Sequence, residues 1–259
     1  MGVAIFHDEP RLRRPTMVLA FAGWNDAGQA ATSAVRFLIE QFGATKFASL
    51  EPEDFYDFTV QRPQVHLVGG AQRTVRWETL DFHAARVHAT EHDYIFGWGP
   101  EPHLRWKTFC AAILDVARAC AVESIVTLGG YLAELLYTRP VPVTGFASDS
   151  ELLRRADVEP TRYEGPTGIV GVLGGACRQA GMAHLSLWAA LPHYVAAMPN
   201  PRGALALLLR FGAILTLPMD LSALKDDAAE FEQRVNDAVA ADPQLSAYVR
   251  ELKKREFTN

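Results

Sequence analysis

Apolar residues along the chain follow two alternating patterns. Five apolar-rich runs predict strands: TMVLAFAG (16–23), DYIFGWG (93–99), SIVTLGG (124–130), VPVTGFA (141–147) and HLSLWAAL (184–191). The first is nearly all apolar, which predicts a strand buried on both faces of a sheet, and the second is also expected to be buried. Between them, apolar residues recur every three or four positions over 31–42 and 109–120, which predicts helices. Strands that alternate with helices in this way predict a layered α/β fold with a mainly parallel sheet.

Other segments predict the elements between these runs. TKFASLEPEDF (45–55) predicts a strand that runs into an acidic loop, and the alternating stretches Val65–Val68 and Thr74–Leu80, joined by GGAQ, predict a hairpin. GIVGVLGGACRQAG (168–181) predicts a glycine-rich helix packed closely against the sheet. PRGALALLLRFGAIL (201–215) is apolar almost all round, so we expect that helix to be buried.

The last forty residues have a different pattern. Apolar residues recur there at alternating three- and four-residue steps, with acidic residues between them: Leu221, Leu224, Ala228, Phe231, Val235 and Ala238. Asp242-Pro243 interrupts the pattern, which resumes at Leu245. The pattern predicts a helical hairpin or a bent helix that packs on its own domain or on a neighbouring subunit. We therefore expect an α/β core over 1–217 and a C-terminal helical extension over 218–259.

Composition and charge exclude several classes of protein. The 259 residues are 49% apolar and carry a net charge of −5, so a nucleic-acid partner is not expected. Two short basic clusters are interpreted as solvated chain ends: Arg11, Arg13 and Arg14, and Lys253, Lys254 and Arg255. No apolar run approaches the ~20 residues of a membrane-spanning helix. Three cysteines form no closed disulfide framework. A cytoplasmic protein is expected.

GWNDAG (23–28) joins the first apolar run to the first predicted helix. Asn25 or Asp26 is a favoured helix N-cap, because its side-chain oxygen accepts hydrogen bonds from free backbone N–H groups. A phosphate loop would use the same N–H groups, but neither GxxxxGK[ST] nor GxGxxG occurs here. Two interpretations stay open for this pair, a helix cap and a ligand-binding turn.

Further polar side chains follow the other predicted strands. Glu101, His103 and Arg105 lie in GPEPHLRW (99–106), Tyr163 and Thr167 in YEGPTG (163–168), and His193 in LPHYV (191–195). Ligands bind at the carboxyl ends of strands in α/β sheets, which makes these residues candidate ligand-binding residues. The alternative is that they serve as loop, cap and surface residues. No GxSxG, HExxH or zinc-ligand spacing occurs, so no catalytic residue, metal or cofactor is assigned.

Six stretches, in order, resemble successive motifs of the proteasome assembly chaperone 2 family, and most closely its actinobacterial-type members: GWNDAG, EDFYDF…RPQV, WGPEPHLRW, LGGYLAELLYTRPVPVTGFASD, YEGPTGIVG and SLWAALPHYV…PNPRGALALL. The resemblance covers nearly the whole chain. It implies a three-layer α/β/α core of the phosphorylase/hydrolase-like kind, with a mainly parallel mixed sheet and a C-terminal helical extension.

The resemblance also carries functional expectations. Eukaryotic relatives help assemble proteasome α-rings, and archaeal relatives bind proteasome particles as homo-oligomers. It implies a non-enzymatic, homo-oligomeric interaction or chaperone-like protein, with a trimer as the expected size and proteasome subunits as partners. Proteasome-docking relatives end in a hydrophobic–Tyr–any-residue tail. Thr258 stands where that Tyr should be, so docking through the C-terminus is not expected. The alternative is a small-molecule-binding protein or hydrolase-type enzyme with its site at the strand ends.

Overall fold

The computed structural model describes residues 3–70, 72–155, 157–195, 199–215 and 217–256. Its strands are β1 (Ala4–Phe6), β2 (Thr16–Ala22), β3 (Thr45–Leu50), β4 (Gln64–Val68), β5 (Gln72–Arg76), β6 (Asp81–Ala85), β7 (Tyr94–Pro100), β8 (Ser124–Ala133), β9 (Val143–Ala147), β10 (Glu159–Pro160) and β11 (Ala183–Pro192). Its helices are α1 (Ala30–Gln41), α2 (Trp106–Ala119), α3 (Ser150–Arg155), α4 (Ile169–Gln179), α5 (Pro201–Leu215), α6 (Ser222–Ala241) and α7 (Pro243–Glu256).

Nine of the strands form one mixed sheet in the order β1-β3-β6-β7-β2-β8-β11-β9-β10. The central strands β7, β2, β8 and β11 are mutually parallel. Antiparallel pairing extends the sheet on both sides of this centre. On one side β6 pairs with β7, β3 with β6 and β1 with β3, and on the other side β9 pairs with β11. The remaining two strands, β4 and β5, form the predicted hairpin as a separate two-stranded sheet. The carboxyl ends of β2, β7, β8 and β11 therefore meet at one edge.

Helices cover both faces of the sheet, which confirms the three-layer α/β/α fold. Alternate residues of β2 point to opposite faces: Val18 contributes to the core under α1 and α5, whereas Leu19 contributes to the core under α2 and α4. Both residues are fully buried, as the continuous apolar run predicts for a central parallel strand. None of the described helices is long and apolar enough to span a membrane.

Short elements escaped the sequence prediction. The strands β1, β6 and β10 and the helix α3 have too few residues to show a period of their own. Only the first part of the predicted stretch Thr74–Leu80 is strand, because β5 ends at Arg76 and residues 77–80 form a connection to β6, which begins at Asp81. The helix α5 is not buried all round: Leu209 is 49% exposed. It packs on β11, α1 and α6, and its remaining side faces outward.

The C-terminal extension forms two helices, α6 and α7, that are joined at Asp242. It packs on its own domain, where Phe231 and Val249 share a buried cluster with Leu136 and Tyr137 from the segment after β8. The prediction that Ala238 belongs to the apolar stripe is wrong, since the next residue is buried in its place. A straight helix turns once every 3.6 residues, so its buried face drifts away from a strict heptad. The domain boundary at 217/218 stays a prediction.

Arg13 of the first basic cluster is exposed, as expected, but it also makes a structural contact. Its backbone N–H and its Nη2 donate to Asp93 at 2.7 and 2.8 Å, and the Val87 N–H donates to the same carboxylate at 3.0 Å. The Asp93 side chain is completely buried. Burial raises the pKa of Asp93, but these hydrogen bonds outweigh burial and hold the pKa below its usual value. Arg13 thus anchors the N-terminal segment to the start of β7.

Replacing Asp93 tests this anchor. We expect Asp93→Asn to lower the free energy of unfolding by about 2 kcal/mol, because one oxygen of the buried carboxylate becomes an NH2 group and leaves N–H donors without an acceptor. The matched control is Glu123→Gln, which breaks the exposed Arg14–Glu123 pair and should cost less than about 1 kcal/mol. Urea unfolding at neutral pH measures both variants. Equal losses would show that the buried carboxylate has no special role.

The lowered pKa also sets the pH range of this contribution. A carboxyl group whose pKa is lower in the folded state stabilises fully above its unfolded-state pKa of about 3.9. Its contribution is lost only as the pH falls through the lower folded-state value.

Candidate functional site

The ends of two neighbouring parallel strands bring Asn25 and Glu101 together. The last residues of β2 and β7 are paired, so the side chains that follow them lie side by side. Asn25 is fully buried, and its Nδ2 donates to Glu101 Oε1 at 2.7 Å. The same oxygen accepts from the backbone N–H of Ile169 at 2.7 Å. Glu101 therefore links the strand ends to the N-terminus of α4, where a negative charge is favourable.

Gly168 covers this linked pair. A Cβ atom on Gly168 would lie 2.3 Å from Asn25 Oδ1 and 2.6 Å from Glu101 Oε1, so only a glycine fits. Asn25 Oδ1 has no conventional hydrogen-bond partner among the described residues. A Cα hydrogen of Gly168 points towards it, an arrangement that contributes about 0.5–1 kcal/mol where it occurs. Asn25 is thus covered by backbone, whereas Glu101 is partly exposed.

This close approach makes an alanine at Gly168 costly. We expect Gly168→Ala to lower the free energy of unfolding by about 2 kcal/mol, because the added methyl group displaces Asn25 or Glu101. The control lies in α4 itself: a Cβ on Gly175 would meet nothing within 4 Å, so Gly175→Ala should raise stability by up to about 1 kcal/mol. Thermal unfolding distinguishes the two. Similar effects of both substitutions would contradict the tight cover over Asn25.

Asp26 starts a helix. Its Oδ1 accepts from the backbone N–H groups of Ala31 and Thr32 at 2.8 and 3.2 Å, and its Oδ2 accepts from the Thr32 hydroxyl. A short 3-10 turn, Ala27–Gln29, separates Asp26 from α1. Burial raises the pKa of Asp26, although the hydrogen bonds from Thr32 and Ala31 act in the opposite direction. The capping interpretation of Asp26 is therefore supported by its contacts.

The other charged and imidazole candidates lie apart from this pair. Arg105 forms an ion pair with Asp54, and His103 Nδ1 accepts from the Asp57 N–H at 3.2 Å. These contacts attach the start of α2 to the loop after β3. His193 instead lies against the helical extension, with its Nε2 3.4 Å from the hydroxyl of Tyr248. Binding of a ligand by these residues stays a prediction.

The two remaining candidates, Tyr163 and Thr167, line a large open groove of about 1360 Å³. Its floor is the outer part of the sheet, with Phe146 of β9 and Trp188 of β11, and one wall is α4. Four of its aromatic side chains are exposed: Trp24, Tyr131, Phe146 and Tyr163. The lining of the groove is largely apolar. It is open because the helices α2 and α4 do not extend over β9 and β10.

Glycines allow close packing at the floor of the groove and in its α4 wall. A Cβ on Gly129 of β8 would lie 2.6 Å from the indole of Trp188, so the glycine makes room for that ring. Trp188 Nε1 in turn donates to Ser186 Oγ at 2.8 Å. Gly171, Gly174 and Gly175 of α4 also line the groove. The indole thus lies flat on the sheet with its polar atom satisfied.

His184 lies at the bottom of the groove and was not predicted as a site residue. It is 4% exposed, and its Nε2 lies 3.2 Å from the Thr127 hydroxyl. Its Nδ1 has no partner among the described residues. Burial lowers the pKa of His184 to about 4, so the ring is neutral at physiological pH. The alternation of apolar residues with other types in HLSLWAAL could have predicted that His184 shares a face with Ser186 and Trp188. These three residues line the groove.

A depressed histidine pKa makes folding depend on pH. Below the unfolded-state pKa of about 6.5 the unfolded chain binds a proton that the folded chain does not bind until about pH 4. Stability due to this residue therefore falls as the pH drops from about 6.5 to 4, by up to about 3 kcal/mol.

We expect His184→Gln to remove this part of the pH dependence of urea unfolding. A profile unaltered by His184→Gln would contradict the assignment.

The described residues contain no group of three or more His, Cys, Asp or Glu side chains placed to hold a metal ion. The buried thiol of Cys110 is not activated, because burial raises its pKa to about 12. Burial likewise raises the pKa of the Cys177 thiol to about 11. These groups offer no ionised nucleophile near neutral pH.

Residues 20–239 match the PAC2 family. A PAC2 family protein from Streptomyces avermitilis is 44% identical, with 91% of this chain and 99% of that chain covered and a TM-score of 0.82. The Mycobacterium tuberculosis proteasome-assembly chaperone homologue Rv2125 is 39% identical, with 90% and 99% covered and a TM-score of 0.82.

A more distant likeness concerns the fold alone. Pyrococcus furiosus PbaB, an archaeal proteasome activator, is 21% identical, with 91% of this chain and 97% of that chain covered and a TM-score of 0.73. No curated protein matches the chain at a significant level.

Proposed function

Because this chain belongs to the PAC2 family, we propose that it is a non-enzymatic, homo-oligomeric interaction protein of the chaperone type, with proteasome subunits as partners. The observation that carries the proposal is the aromatic groove. Its volume of about 1360 Å³ exceeds the roughly 300–1,000 Å³ of small-molecule pockets. Its exposed side chains are of the kind that is enriched where proteins meet.

The distribution of polar groups also favours an interaction protein. The strand-end carboxylates are engaged with the backbone: Glu101 at α4 and Asp26 at α1. The hydroxyl that Asp26 contacts, on Thr32, is buried, and neither carboxylate faces an imidazole in the described contacts. A general base has to reach the proton that it removes, either directly or through one water. These two groups serve to start helices.

Proteasome subunits are proposed as partners because of the relatives. One relative of known structure is named a proteasome-assembly chaperone homologue, and a more distant one with the same fold is named an archaeal proteasome activator. The C-terminal tail with Thr258, where docking is not expected, lies outside the described residues. A folded surface available for docking is the exposed face of α6, with Asp226, Asp227 and Glu230.

Affinity purification of the tagged protein from a proteasome-containing host tests the partner. We expect proteasome α-subunits to be enriched over a tag-only control, as identified by mass spectrometry. If the chain instead retained a small molecule and no protein, the alternative of a ligand-binding protein would be favoured. Sedimentation of the purified chain at micromolar concentration tests the oligomer, for which a trimer is expected. A monomer mass would refute homo-oligomerisation without bearing on the proteasome subunits.

A further inference from the structure

Two arginines line the aromatic groove without being paired inside the chain. Arg162 follows β10 and Arg178 lies in the last turn of α4, so they approach the groove from opposite sides. Both residues are exposed, and neither guanidinium has an ion-pair or hydrogen-bond partner among the described residues. A guanidinium holds its N–H donors in a rigid fork that matches the two oxygens of a carboxylate. The groove therefore offers two free positions for anionic groups.

The charged side chains of the lining are net positive. Besides the two arginines, one carboxylate lines the groove, that of Glu159. His184 adds no charge at neutral pH, because burial lowers its pKa to about 4. Two arginines against one glutamate leave a net charge of +1 in the groove, whereas the whole chain carries −5. A basic groove on an acidic protein favours an anionic partner.

The two arginines lie at one end of the groove. In the register of the sheet Pro160 of β10 lies opposite Gly145, which lies opposite Leu187, so Arg162 lies nearer to the start of β11. Arg178 belongs to the same end, because α4 ends shortly before β11 begins. The groove thus has a cationic end at the amino-terminal end of β11.

Aromatic side chains occupy the rest of the groove. Phe146 and Trp188 lie on its floor, and Tyr131, which pairs with Ala190 of β11, lies at the end away from the arginines. From Leu185 to Ala190 the strand β11 spans about 17 Å, at roughly 3.3 Å per residue. An extended peptide of about six residues has the same length. The groove therefore matches a short extended segment in length.

We propose that the aromatic groove binds an extended peptide segment of a partner protein, with Asp or Glu residues at one end and aromatic or large aliphatic residues along the rest. The acidic side chains pair with Arg162 and Arg178, and the apolar side chains pack on Phe146 and Trp188. Arginine clusters recognise acidic motifs in this way, through charge-assisted hydrogen bonds. The proposal rests on the interaction function put forward above and specifies the chemistry of the partner.

Selection from a peptide library tests the chemistry of the occupant. Random peptides of about ten residues, longer than the groove requires, are displayed on phage and selected on the purified parent chain. We expect the selected peptides to be enriched over the unselected library in Asp and Glu, together with aromatic or large aliphatic residues. Enrichment of basic or uncharged sequences, or no enrichment at all, would overturn the proposal.

Charge reversal tests the place of binding. The double variant Arg162→Glu, Arg178→Glu should weaken binding of a selected, fluorescently labelled peptide at least about tenfold, as measured by anisotropy. The matched control, Arg73→Glu with Arg76→Glu, makes the same change of charge on the exposed strand β5. It should leave the affinity nearly unchanged at a salt concentration of about 0.15 M, which screens distant charges. Equal losses in both double variants would contradict binding in the groove.

A charge swap distinguishes lost pairing from a damaged groove. Peptides in which each Asp and Glu is replaced by Lys should bind the Arg162→Glu, Arg178→Glu variant more tightly than the original peptides do. A damaged groove would show no such reversal of preference, and circular dichroism checks that the variant is folded. A folded variant that does not prefer the lysine peptides would contradict the pairing with these two arginines.

The apolar part of the contact has its own test. Phe146 on the floor is 45% exposed, and Leu209 of α5, which is 49% exposed, serves as its matched control. Phe146→Ala should weaken peptide binding at least about tenfold, because large aromatic side chains dominate the energetics of interfaces. Leu209→Ala should leave binding unchanged. An unaltered affinity for Phe146→Ala would contradict packing of the peptide on the floor of the groove.

The outcomes separate this proposal from the partner proposed above. Peptide selection uses the purified chain alone and needs no proteasome. Acidic peptides that bind in the groove, with no α-subunits in the affinity purification, would support the groove site and refute the proteasome subunits as partners. Retention of α-subunits equally by the parent chain and by the Arg162→Glu, Arg178→Glu variant, with no peptide selected, would overturn the groove proposal alone.

Discussion

The sheet of this protein is wider than the helices that cover it, and the surfaces that the chain leaves open follow from this mismatch. Nine strands give eight spacings, about 38 Å at roughly 4.8 Å each. The helices α2 and α4, each about 10 Å across, cover about half of that width on their face. The strands β9 and β10 lie beyond them, so the aromatic side chains there have no cover within the chain.

The covered half of the sheet is where the polar strand ends are satisfied internally. Asn25 and Glu101 occupy the edge where a ligand would enter many α/β proteins, but Gly168 and the first N–H of α4 lie directly on them. A buried amide such as that of Asn25 would cost several kcal/mol without partners, and the partly exposed Glu101 carboxylate would also lose solvation. Their mutual hydrogen bond and the helix N-terminus offset that cost. The same residues that suggest a binding site thus secure a helix to the sheet.

The uncovered half and the protruding hairpin are consequences of the same chain topology. The hairpin is inserted between β3 and β6, at the far side of the sheet from the groove. Both surfaces are exposed in the folded chain. Large exposed apolar patches on proteins mark contact sites.

The sequence alone determined those strands and helices whose apolar residues recur with a regular period over a short stretch of chain. The runs at 16–23 and 124–130 became β2 and β8, and the alternation from Val65 predicted the hairpin, because strand and helix periods are visible within a few residues. Tertiary structure decided which strands are neighbours, and so brought Asn25 to Glu101 across 76 residues. It also decided that Trp188 is left without a covering helix. That outcome depends on the width of the whole sheet, which no local pattern contains.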